Sequence, residues 1–96
     1  MNRLNALRWA DEILDDARRI AKQHAGHDGR LRDGMELDYI SRLVSAASGY
    51  RSAGLTLLSN RVYHFARRAA LYGTSENVAE AWRQFDRLNA DGRCPV

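Results

Sequence analysis

Residues 56–72 read TLLSNRVYHFARRAALY, and their spacing decides the fold class. Leu58, Val62, Phe65, Ala69 and Tyr72 recur at intervals of four, three, four and three. That rhythm keeps apolar side chains along one seam of an α-helix. A second apolar set, Tyr63, Ala66 and Ala70, lies beside the first. A helix with so wide an apolar surface is either the central helix of a bundle or part of a contact between two copies of the chain.

On the C-terminal side, Gly73 is a natural helix end, and Thr74 or Ser75 can cap a further helix. That helix is expected over about 75–89, with Val78, Trp82, Phe85 and Leu88 on one side. On the N-terminal side stand Gly49 and Gly54. Each costs a helix about 1 kcal/mol, which predicts a break or kink between 49 and 56 rather than one long helix. Before them, Leu37, Ile40, Leu43, Val44 and Ala47 predict a helix over about 35–49, with Asp33 and Glu36 as a capping-box-like start. Its end, Ser45-Ala46-Ala47-Ser48-Gly49, is small-sided and admits the close approach of another helix.

Residues 25–34, AGHDGRLRDG, read as a loop. The first helix is expected over about 3–24. Leu4, Leu7, Ala10, Leu14, Ala17 and Ala21 form its stripe, widened by Trp9, Ile13 and Ile20. Its acids, Asp11, Glu12, Asp15 and Asp16, precede Arg18, Arg19 and Lys22, an order that suits the helix dipole. The single proline is Pro95, in a tail that reads as frayed from Asp91, and no segment alternates cleanly as a strand does. The expectation is an all-α fold: a compact antiparallel bundle of three to four helices forming one domain over 1–96. Helices one and four flank a hairpin of helices two and three.

Apolar residues at 45% and charged residues at 28% are globular values, not those of a disordered chain. No apolar run reaches the roughly 18–20 residues of a membrane span. Met1-Asn2-Arg3-Leu4 leads directly into a charged pattern without a signal peptide, so a cytoplasmic location is expected. One cysteine, Cys94, makes neither an internal disulfide nor a cysteine-based metal site. These features exclude a membrane protein, a disulfide miniprotein, a zinc finger and a large multi-domain enzyme.

The net charge of +3 is unevenly spread. Residues 1–40 carry seven basic and eight acidic side chains, and residues 73–96 carry three and four. Between them Arg42, Arg51, Arg61, Arg67 and Arg68 meet no acid, and the acid-free stretch runs from Tyr39 to Ser75. Either this segment projects positive potential toward an acidic partner, or acids of the first and last helices pack alongside and cancel it. Every basic residue except Lys22 is arginine, whose planar fork suits carboxylates, phosphates and aromatic faces. A GC-rich genome produces the same bias.

Arg61, His64, Arg68 and Leu71, at i, i+3, i+7 and i+10, share one face of the third helix. Arg67 points elsewhere, nearer Tyr63 and Ala70. With Tyr and Arg dominant in protein hot spots, the candidate partner-binding set is Arg51, Arg61, His64, Arg67 and Arg68, with Tyr50 and Tyr63 as anchors. The bland alternative is a solvated face. The same residues can also grip phosphates and stack on bases. Further along, Ala69-Ala70-Leu71-Tyr72-Gly73-Thr74-Ser75, followed by Val78 and Trp82, resembles the helix-turn-helix of transposase-like and regulator domains. The resemblance covers about a fifth of the chain, within 61–89, and implies DNA reading by the last helix. Thr74 stands where valine or isoleucine is usual, and Val78 comes one residue early. Two of the four outward positions, Glu76 and Glu80, are acidic beside Arg83 and Arg87, and would oppose phosphates.

His24 and His27 straddle a helix end, which is not a standard zinc-ligand geometry, and no metal or cofactor is expected. Cys94 lies near the terminus without a base beside it, and no Walker loop or nucleophile elbow occurs, so an enzyme is not expected. The third helix is a weak membrane-surface binder because of its alanines. The expected function is therefore that of a small non-enzymatic adaptor, inhibitor or regulator occupying a macromolecular partner, protein before nucleic acid. Phage and mobile-element products, anti-CRISPR proteins among them, are frequent in this class. A homodimer would add buried surface to a short chain. The alternative is a nucleic-acid-binding regulator using the same basic segment.

Overall fold

Asn2 starts the first helix: its side-chain oxygen accepts the Asn5 amide at 2.8 Å, satisfying one of the free N–H groups of the first turn. In the computed structural model, which describes residues 2–32, 34–72 and 77–91 (the last three by backbone alone), four helices pack into a bundle. They are α1 (Arg3–His24), α2 (Glu36–Ser52), α3 (Thr56–Tyr72) and α4 (Val78–Asp91). Among the described residues there are no strands, only isolated bridges at Ala25–Leu31 and Arg30–Asn77. None of the helices is long and apolar enough to cross a membrane.

The buried stripe of α1 is made of alanine: Ala6, Ala10, Ala17 and Ala21. Leu4, expected within the stripe, is exposed, while Leu7, Ile13, Leu14 and Ile20 flank it half-buried. The reason is the closeness of α2. A Cβ built at Gly49 would lie 2.8 Å from the Ala10 Cβ and 2.9 Å from a ring carbon of Trp9. Larger residues at this crossing would push the helices apart. The small-sided end of α2 therefore serves a close approach within the fold.

It is α2, rather than α3, that occupies the centre, packing along both α1 and α3. Its buried face is Tyr39, Leu43, Ala46, Ala47, Gly49 and Tyr50. The face expected from Leu37 and Val44 is rotated away, and Leu37 is 82% exposed. Two tyrosines fill the interior in place of aliphatic residues. The helix also runs past Gly49 to Ser52. Gly54, at φ +84, ends it: its amide donates to the Arg51 carbonyl and the Leu55 amide to that of Tyr50. This paired closure is a Schellman motif, whose left-handed residue favours glycine. The break therefore falls within the expected interval, but only the second glycine makes it. At the other end Met35 is the cap residue without a side-chain cap, and the Glu36 carboxylate accepts the Gly34 amide at 3.0 Å. Asp33 of the expected capping box lies outside the described residues.

The third helix locks onto the second through the buried Ser59, whose hydroxyl donates to the Ala47 carbonyl at 2.7 Å. Val62, Phe65, Ala66 and Ala69 complete its inner face. The loop after α1 folds back on itself, with Leu31 buried in the core. At Gly29, φ +78, the carbonyl turns toward α4 and accepts the Val78 amide at 2.8 Å and the Ala79 amide at 3.4 Å. The Asn77 side chain accepts the Glu80 amide at 2.9 Å. The last helix therefore begins at Val78, three residues later than expected; Gly73, Thr74 and Ser75, the expected end and cap residues, lie outside the described residues, as does the tail from Gly92.

The crossing at Gly49 yields a first expectation. Gly49→Val should lower stability by about 1–3 kcal/mol, the usual range for overpacking. Equilibrium urea unfolding followed by helical circular dichroism measures it; an unchanged midpoint would refute the close approach.

Candidate functional site

On the outer side of α3, Arg61, His64 and Arg68 do share a face, and that face borders a groove of about 360 Å³ shared with α4. Phe65 and Phe85, both largely buried, form its floor together with Ala81 and Leu88. Asn60 and Gln84 complete the described lining. On α4 the contributing positions 81, 84 and 88 repeat the i, i+3, i+7 pattern of 61, 64 and 68 on α3, so two helical rows face each other across the groove. Leu88 is 58% exposed there, and Leu71, next in the α3 row, is 75% exposed.

The space exists because α4 is fastened elsewhere. Arg18 of α1 donates to both carboxylate oxygens of Asp86, at 2.6 and 2.7 Å, and its guanidinium lies 4.4 Å from the centre of the Trp82 ring. This two-point geometry is the strong form of the pair. Trp82 and Phe85 meet Phe65 of α3 at ring-centre distances of 4.7 and 5.5 Å.

Among the described lining residues there is no carboxylate. Of the α4 acids with described side chains, Glu80 reaches the groove lining, accepting a hydrogen bond from Gln84 at 3.4 Å. Asp86 faces Arg18, and Glu80 accepts two hydrogen bonds from Arg83, which hold its carboxyl below its ordinary value of 4.5. The cancelling acids considered above do reach the acid-free stretch: Asp16 pairs with Arg42 at 3.4 Å. Arg68 also lies 5.9 Å from the ring centre of Tyr72, at the outer limit of a cation–π contact.

The other expected site residues fall elsewhere. Arg51 and Arg67 are exposed but do not line the groove. Tyr63 is half-buried against the core. Tyr50 is not a surface anchor: it is 1% exposed, and its hydroxyl donates to Asp11 at 2.5 Å. Sequence reasoning missed Ala81, Gln84, Phe85 and Leu88 as site residues, having assigned Phe85 and Leu88 to the interior. The i, i+3, i+7 match between the two rows was the available signal. A second depression of about 270 Å³ lies between α1 and α4, but its arginines, Arg18 and Arg83, are those already paired with Asp86 and Glu80. Among the described residues no three metal-ligating side chains come together, and the His24–His27 pair gathers no further ligand. No protein-family model matches the chain, and no curated protein or solved structure matches it either.

Tyr50 carries a pH-dependent expectation. Burial, the hydrogen bond to Asp11 and the negative charges of Asp11 and Asp15 push its phenol well above the ordinary value of 10.0. The unfolded chain therefore ionises first, and the stability this group contributes is complete below pH 10 and declines as pH rises further. Tyr50→Phe should cost about 1.5–3 kcal/mol at neutral pH, the range for a hydrogen bond to a charged acceptor. The gap between wild type and variant should narrow above about pH 10; urea unfolding across pH 7–11 reads both.

Proposed function

We propose that this protein is a non-enzymatic binding module that acts by occupying the surface of a partner protein, with the α3–α4 groove as its contact face. One observation carries the reading: an apolar floor rimmed on one side by Arg61, His64 and Arg68. Apolar centres with polar rims typify protein interfaces, and arginine is enriched among the residues that dominate their energetics. Contact with such a face can inhibit, recruit or regulate the partner without any chemistry. Arg51 and Arg67 then extend the positive surface outside the groove.

The basic, acid-free stretch also favours a nucleic-acid-binding regulator. Against it, the rings of Phe65 and Phe85 are packed into the core rather than presented for base stacking, and Glu80 lies on the exposed row of α4. The two readings separate on salt. Phosphate-led binding to duplex DNA weakens with a log–log slope of about −0.9 per phosphate contact.

Titration of purified, nucleic-acid-free protein against labelled duplex DNA, single-stranded DNA and RNA should give no saturable binding at physiological salt. Steep, salt-dependent binding would overturn the protein-partner reading. Proteins retained on the wild-type chain should be lost, by about tenfold or more in affinity, from the Arg61→Glu/Arg68→Glu variant, a difference of about 1.4 kcal/mol or more. The neutral Arg61→Gln/Arg68→Gln variant should lose less. Circular dichroism establishes that both remain folded, and equal retention by folded variants would refute the assignment.

A further inference from the structure

We infer that the outer face of α2 is a self-association surface, on which a second copy of this chain docks antiparallel about Val44. The inference goes beyond the reading above, because none of the groove's described lining belongs to α2.

Exposure and spacing define the face. Leu37, Val44 and Arg51 follow one another at intervals of seven, so they lie along one line of the helix. Leu37 is 82% exposed, Val44 is 41% exposed, and Arg51 is exposed as well. A single exposed leucine is ordinary surface. Apolar residues repeated at heptad spacing are the pattern with which one helix meets another. The packing of α2 inside the bundle does not use them, since its buried face is Tyr39, Leu43, Ala46, Ala47, Gly49 and Tyr50. Positions 41 and 48, between them on the same side, are exposed serines, so no bulky side chain bars a second backbone.

The line is symmetric about its middle. From Leu37 to Arg51 is about 21 Å of helix at 1.5 Å per residue, and Val44 stands seven residues from each end. A two-fold axis through Val44 sets this residue against its own copy. It also sets Leu37 beside Arg51 of the second copy, whose aliphatic stem can cover it.

Charge selects the orientation. The first turn of α2 carries Glu36 and Asp38, and its last turn carries Arg51. Among the described residues neither these acids nor Arg51 enters an ion pair. Antiparallel docking brings the acidic first turn of each copy beside Arg51 of the other, once at each end of the contact. Parallel docking would set like charges together. Opposite charges placed this way favour encounter and fix register. With one helix from each copy, the contact falls at the small end of specific interfaces, so a micromolar rather than a nanomolar dimer is expected.

Sedimentation of the full chain from micromolar to submillimolar concentration tests the inference. The expected result is a monomer–dimer equilibrium that weakens as salt rises. Val44→Glu and Val44→Lys should each weaken it by about tenfold or more, because like charges then meet across the axis. An equimolar mixture of these two variants should dimerise again, since the mixed pair brings opposite charges together. That recovery also requires both variants to be folded, which circular dichroism checks independently. Arg51→Glu should weaken the dimer as well. A chain that stays monomeric throughout would overturn the inference, as would a dimer indifferent to both Val44 variants. Loss in each variant without recovery in the mixture would overturn the two-fold contact at Val44. A dimer abolished by Leu88→Glu but kept by Val44→Glu would assign self-association to the α3–α4 groove and likewise overturn the inference.

Discussion

The Gly29 carbonyl accepts the opening amides of α4, and the placement of the last helix follows from it. A helix start leaves N–H groups without internal partners and carries partial positive charge, so a loop carbonyl is a natural complement. Arg18 adds a second mooring through Asp86 and Trp82. Both moorings pull α4 toward α1 and the loop that follows it. The rings of Trp82 and Phe85 join α4 to Phe65 of α3. The groove between α3 and α4 thus depends on how the fourth helix is held.

The other three helices rest on a different constraint, the absence of side-chain bulk where α1 crosses α2. Ala10 and Gly49 bring the two backbones close, while Tyr39 of α2 packs edge-on against Phe65 of the aromatic cluster. Tyr50 reconciles burial with polarity by reaching Asp11 at the edge of α1. Ser59 does the same for α3 through the Ala47 carbonyl.

Much of this was readable from residue order. The periodicities of α1 and α3 give their extents, and Gly54 marks the turn between α2 and α3, because these signals are local. The buried face of α2 was not readable, since Tyr39 and Tyr50 have polar tips and their burial depends on partners distant in sequence. The start of α4 was hidden for a related reason: the carbonyl that completes it comes from residue 29, far from any local cap signal. Within the site, Arg61, His64 and Arg68 were legible as one face from helical geometry alone. Their companions on α4 were not, because Leu88 follows the same spacing as the buried Val78, Trp82 and Phe85. Its exposure is set by the three-dimensional packing, which local spacing does not encode. Tyr50, Arg51 and Arg67 failed to join the set because residue type, without direction, had recommended them.

The way α4 is held also divides the molecule's motions. One continuous interior joins all four helices, α4 contributing Val78, Trp82 and Phe85, and α4 is held further by a loop carbonyl and an ion pair. Release of the last helix as a unit would leave the crossing at Gly49 and the Ser59 bond intact. In that opened form the groove ceases to exist. Gly29 is not among the groove's described lining, yet its carbonyl holds the helix that forms one wall. Persistence of the groove and docking of the fourth helix are then a single equilibrium, read at two ends of the same element.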